Sequence, residues 1–176
     1  MGMYKSGMAL MLVLVALSAC NKKDASTAGA DAPVASGKAV EFVTTQDSKP
    51  LAIDAKLFDT PAAKEFLATG KNSYIGNAEA IAKGKKVFQL YSCTQCHGPE
   101  AKGQVGPGLI GPTFRYPKDA TNKGMFETIW HGTNGGMGAK GIGLMDPTDP
   151  KNGITPDELL KIIAWVRSMG TITGNE

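Results

Sequence analysis

One short run carries the most specific chemistry in the chain: Cys93, Thr94, Gln95, Cys96 and His97. Two thiols three positions apart, at the end of a helix, can form thioether bonds to the two vinyl groups of one haem. The adjacent imidazole then reaches the iron from the same side. Three other readings compete. A thioredoxin-type Cys-x-x-Cys needs a strand before it and a helix after it, whereas here a helical pattern comes first and a Gly-Pro loop follows. A zinc site needs a second pair of ligands, and the only other histidine is His131. A disulfide closing over two residues is strained. The expectation is therefore one covalent haem on Cys93 and Cys96, with His97 as an axial iron ligand.

The opposite axial position calls for a second soft or nitrogen ligand. Met137 lies in Gly135-Gly136-Met137-Gly138, forty residues after His97. Its small neighbours let the backbone come close to the haem edge and aim the thioether at iron. Met145, in the same loop, is the alternative. Met125 on a helix face and Met169 at a helix end read as packing. His131 could complete a bis-His site, but a histidine at a helix C-terminus more simply complements the helix dipole. The haem propionates need donors, and Arg115, Tyr116 and Trp130 are the candidates.

The elements that must position these groups are short helices. Thr60-Pro61 predicts an N-cap and first-turn proline for a helix ending at Gly70. Asn77 predicts the cap of a helix to about Tyr91, with Ile81, Gly84, Phe88 and Tyr91 on one face. Gly84 in mid-helix costs about 1 kcal/mol relative to Ala, a cost accepted where another backbone comes close. Asn122 predicts the cap of a helix through about His131. Thr155-Pro156-Asp157-Glu158 is a capping box for a helix over 156–169, with Leu159, Ile162, Ile163 and Val166 inward. Glu41 to Ala55 predicts two short extended stretches around a polar turn, a small hairpin. Gly98 to Lys118 and Gly132 to Gly153 are glycine- and proline-rich loops. Loops this long are unusual unless a large apolar cofactor fills the middle and they drape over it.

The N-terminus reads as an address. Lys5 precedes an apolar run, Met8 to Leu17, that rises only about 15 Å as a helix, half a bilayer core, and so is a secretory signal rather than an anchor. Leu17-Ser18-Ala19-Cys20 resembles the lipobox of bacterial lipoproteins, which implies acylation of Cys20 as the first mature residue. Residues 1–19 are then a signal peptide, 20–38 a lipid-anchored tether of about 20–25 Å root-mean-square reach, and 39–176 a monohaem domain. The expected location is the periplasm, tethered to a membrane. Ordinary signal cleavage and a soluble periplasmic protein are the alternative. The net charge of +3 is too weak and scattered for nucleic acid, and three cysteines make no disulfide scaffold.

These motifs resemble the class I c-type cytochromes, which implies a mainly α cytochrome c fold with short helices and long Gly-rich loops around one haem. Gly84 and Phe88 facing Ile162 and Trp165 resemble that family's interhelical contact. Gly106-Pro107-Gly108-Leu109 resembles the loop whose proline carbonyl accepts a hydrogen bond from the ligand histidine, a role falling on Pro107. A narrower resemblance covers about Phe42 to Gly170 and is to the cytochromes cL, electron acceptors of pyrroloquinoline-quinone methanol dehydrogenases. It rests on Lys64 to Asn77 (KEFLATGKNSYIGN), His97 to Leu109, Tyr116-Pro117, Lys123 to Ile129, the Met137 segment and Thr155 to Ser168. That family is soluble and often acidic, whereas this chain carries a lipobox and is slightly basic, and its segment Met145 to Asn152 is longer.

The resemblance implies a one-electron carrier, not an enzyme, reduced by a periplasmic methanol dehydrogenase and oxidised by a downstream cytochrome or oxidase. It also raises a bound calcium, for which the sequence assigns no ligands. The alternatives are a haem enzyme or small-ligand sensor with an open sixth iron site, and a tethered module serving another dehydrogenase or oxidase.

Overall fold

The computed structural model describes residues 39–172, with Gly2, Gly174 and Asn175 besides. Contacts divide the chain into 1–35 and 36–176, and everything below concerns the second unit. The proposed signal segment 1–19, the acylation site Cys20 and the tether to residue 38 lie outside the described residues. No described helix is long and apolar enough to cross a membrane.

Among the described residues, five α-helices follow in order: α1 Pro61–Thr69, α2 Ala78–Leu90, α3 Thr94–His97, α4 Asn122–His131 and α5 Pro156–Met169. Two 3-10 turns, Ala55–Leu57 and Pro117–Ala120, precede α1 and α4. Side-chain caps set most of the starts. Thr60 accepts from the Ala63 N–H and Asn77 from the Ala80 N–H, satisfying donors that a first turn leaves free. Thr155 and Glu158 form the reciprocal capping box at α5. Helix α4 differs from expectation: Thr121 is its cap, accepting from the Gly124 N–H, and Asn122 is fully buried in the first turn. The threonine wins because the preceding 3-10 turn leaves Thr121 extended, at φ −99° and ψ 155°, the backbone state a cap requires.

The expected hairpin is reduced to one antiparallel bridge between Val43 and Pro50. It still inserts Phe42 into an aromatic block with Phe58, Phe66 and Phe126, at centroid separations of 4.9–6.1 Å. Glu127 of α4, almost wholly buried, accepts from the Val43 N–H at 2.8 Å and pairs with Lys118 and Lys123. A buried carboxylate is tolerable only with such partners. The KNSYIGN stretch is docked similarly. Buried Asn72 donates to the Leu160 carbonyl at 2.8 Å, and the Tyr74 hydroxyl donates to Asp157 at 2.6 Å.

Helices α2 and α5 form the main interhelical contact. The Phe88 and Trp165 rings lie 4.6 Å apart, and Gly84 faces the Lys161–Ile162 backbone. A Cβ on Gly84 would stand 2.0 Å from the Lys161 carbonyl oxygen. Propensity alone predicts that Gly84→Ala stabilises by about 1 kcal/mol. The contact predicts the opposite sign, because backbone cannot move aside as a flexible side chain can. We expect a loss of about 3 kcal/mol and a melting temperature lower by about 10 °C. Thermal unfolding of the haem-loaded protein checks this, with exposed Ala82→Gly as the control. A Gly84→Ala variant as stable as wild type would show that the helices do not meet this closely.

Candidate functional site

The end of α2 and the short helix α3 bring the cysteine pair and histidine to one cavity. After Tyr91 the backbone turns at Ser92, whose φ is +57°, and the Cys93 N–H closes back on the Phe88 carbonyl. Cys93 is then half-buried and Cys96 exposed, both unpaired thiols. Burial pushes the Cys93 thiol up, leaving a neutral sulfur on an apolar wall.

His97 is buried, and its Nδ1 lies 2.8 Å from the Pro107 carbonyl. That carbonyl can only accept, so Nδ1 carries a proton, and in the neutral imidazole Nε2 is the nitrogen that keeps its lone pair. The loop after α3 supplies this acceptor by wrapping the histidine. The Gly103 N–H bonds the His97 carbonyl and the Gly106 N–H bonds the Cys96 carbonyl. A Cβ on Gly106 would stand 3.2 Å from His97 Cε1, so a side chain there would crowd the imidazole.

Across the cavity, the loop after α4 carries Met137. The Thr133 N–H bonds the Met137 carbonyl at 2.8 Å. Gly132, at φ +82°, permits the turn, since a Cβ there would lie 2.5 Å from that same carbonyl oxygen. The resulting cleft has a volume of about 690 Å³ and is lined by Cys93, Cys96, His97, Pro107, Arg115 and Met137 among others. A small inner recess adds Phe88, Met125, Ile129 and Ile162.

Of the other sequence candidates, exposed Arg115 and half-buried Tyr116 line the cleft. Hydrogen bonding from Thr133, and then Arg115, holds the Tyr116 hydroxyl below its ordinary value. Trp130 is placed elsewhere: it is buried, stacked on Phe126 at 5.5 Å, and does not line the cleft. Met145 does not line it either. His131 ends α4 with its Nδ1 buried and without a hydrogen-bond partner, also outside the cleft lining. Sequence reasoning passed over Asp119 and Thr128, which line the cavity. Nothing in their local pattern separates them from ordinary helix-start residues. Among the described residues, no group of three or more His, Cys, Asp or Glu side chains is placed to hold a metal ion.

The residues present fit a covalent haem. Two thiols and a pre-oriented imidazole share one cavity with a thioether, the cleft is of cofactor size, and a glycine gives the imidazole room. A cytochrome c family model matches residues 81–170, half of the chain, and the chain belongs to the cytochrome c family, in which haem c is bound covalently. Its similarity within that family is to cytochromes cL. Cytochrome c-L of Methylorubrum extorquens is 43% identical over 114 residues, 64% of this chain and 52% of that protein. The chain thus spans about half the length of that relative. The crystal structure of cytochrome cL from Hyphomicrobium denitrificans aligns with a TM-score of 0.62 at 37% identity, covering 74% of this chain and 73% of that one. That from Methylophaga aminisulfidivorans aligns at 0.61 and 38%, covering 73% and 80%.

Proposed function

We propose that the protein is a monohaem one-electron carrier in the periplasm, reduced by a pyrroloquinoline-quinone methanol dehydrogenase and oxidised by a downstream cytochrome or oxidase. The observation that carries this reading is His97 and Met137 on one cavity, with His97 turned by the Pro107 carbonyl so that Nε2 is free. In this reading Cys93 and Cys96 would hold the haem through thioether bonds, His97 and Met137 would ligate its iron, and Arg115 and Tyr116, which line the same cleft, would serve its propionates. Bound there, the haem supplies reversible one-electron chemistry at a potential that a thioether ligand raises. The His97–Pro107 hydrogen bond fixes the imidazole plane and makes Nε2 more basic. With His97 and Met137 both bound to the iron, no position on it would be left for substrate, which suits a carrier rather than an enzyme. The similarity to cytochromes cL supports the choice of donor.

The lipobox supports attachment through an acylated Cys20, with residues 20–38 as the tether and 39–176 as the domain. One set of experiments tests the whole reading. The purified protein should be reduced rapidly by such a methanol dehydrogenase with methanol present, and its oxidised spectrum should be low-spin with a Met-to-iron charge-transfer band. Wild type should fractionate with membranes and Cys20→Ser with the soluble periplasm. A high-spin spectrum would favour an open-site haem protein, and reduction only by another dehydrogenase would replace the donor.

A further inference from the structure

The carrier reading leaves one buried titratable group without a role. Asp119, on the 3-10 turn before α4, is 6% exposed and lines the same recess and cleft as His97 and Met137. It is the one acidic side chain among the described residues of that lining. Its carboxylate accepts a 2.6 Å hydrogen bond from the Thr128 hydroxyl, not from either axial residue. The Thr128 hydroxyl is in turn 2.9 Å from that of Thr45, a half-buried residue of the N-terminal hairpin. Three oxygen atoms thus form a continuous line from the cavity toward solvent.

From the geometry we propose that Asp119 takes up a proton when the haem is reduced, with Thr128 and Thr45 as the relay. The proposal rests on the carrier reading. The donor delivers one electron to the haem, one proton enters from solvent, and the Asp119 carboxylate becomes a neutral carboxylic acid. No bond other than this O–H forms, and no further reactant is consumed. The added electron makes the cavity more negative, which favours protonation in a poorly solvated place. By linkage, a proton already present favours the electron equally.

The surrounding charges leave the carboxylate free to do this. Lys118 on its own turn and Lys123 on α4 are engaged with Glu127. Arg167 on α5 donates to the backbone carbonyls of Asp119 and Thr121 rather than to the carboxylate. His97, Arg115, Tyr116 and Lys140 face the cleft from its other walls. Burial pushes Asp119 up to about 6, against the opposing pull of the Thr128 hydrogen bond and of Lys118 and Arg167. A group there titrates between mildly acidic and neutral pH, with the reduced protein binding the proton more tightly than the oxidised.

Potentiometric titration of the haem-loaded protein from pH 4 to 9 tests this. The wild-type potential should fall as pH rises through this window, at most by about 59 mV per pH unit, the one-electron equivalent of a tenfold change. Asp119→Asn keeps an oxygen for Thr128 but has no carboxyl proton, so it should lose the part of the slope that Asp119 contributes and keep only the part that the haem propionates would add. A protonated-carboxyl band should appear in the wild-type reduced-minus-oxidised infrared spectrum and be missing from this variant. Thr128→Val removes a bond that favours the charged form, so its sloping region should move to higher pH. An Asp119→Asn protein that keeps the whole wild-type slope and the band overturns the proposal. Should that variant not fold, an unmoved slope in Thr128→Val overturns it. In either case a persisting Met-to-iron band with reversible reduction leaves the carrier reading standing, and their loss in wild type would sink that reading instead.

Discussion

Replacing Cys93 and Cys96 together with alanine leaves a chain without haem that does not unfold cooperatively. The reason is volumetric. The cleft has about 690 Å³, and cavities in protein interiors cost about 24 cal/mol per Å³. If about 200 Å³ of it stayed unfilled and dry, that space would cost about 5 kcal/mol, comparable with the whole stability of a small domain. The two loops that form its walls hold little regular structure, so without the haem they lose the largest apolar surface they would pack against. Denaturing electrophoresis after acid–acetone extraction should show haem on wild type and none on the double variant. Circular dichroism on heating should show a sharp transition only in wild type. A cooperative, native-like transition in the double variant would refute the idea that the haem completes the core.

The second large effect concerns Met137. Met137→Ala should keep its covalent haem and its fold, yet lose the Met-to-iron charge-transfer band and accept exogenous ligands at the sixth position. Its reduction potential should fall by roughly 0.1–0.3 V, within the about 0.8 V over which axial ligands set haem potentials. Electron acceptance from a methanol dehydrogenase should slow accordingly. Met145→Ala should leave band and potential nearly unchanged, because Met145 lies outside the cleft lining. A band that survives in Met137→Ala and disappears in Met145→Ala would reverse the ligand assignment while leaving the carrier reading intact. If neither variant changes the spectrum, the ligand lies outside this loop, and His131, with its buried and unpartnered Nδ1, becomes the next residue to replace.

Most of the helical frame is determined by local chemistry. A cap, a first-turn proline and a terminal glycine act within one turn of the chain, so Thr60 to Gly70 and Thr155 to Gly170 could be read from the sequence with their ends in place. The Cys93–His97 motif is equally local, since five consecutive residues contain the thioether sulfurs and one axial nitrogen. The two backbones meeting at Gly84 could be anticipated too, because a glycine there makes sense only if something takes the place of its Cβ.

Contacts between segments far apart in the chain decided the rest. Thr121 rather than Asn122 caps α4 because the preceding turn sets its backbone. Trp130 belongs to the aromatic block because Phe42, Phe58 and Phe66 arrive from the N-terminal side to meet Phe126, and no spacing within α4 foretells that. Met137 and Met145 carry the same side chain on one glycine-rich loop, and only the path of that loop, turned at Gly132 and closed by the Thr133–Met137 bond, brings one of them to the cavity. Asp119 is ordinary in sequence. Its burial, its bond to Thr128 and its place beside His97 and Met137 exist only once the turn, α4 and both loops have closed around one space.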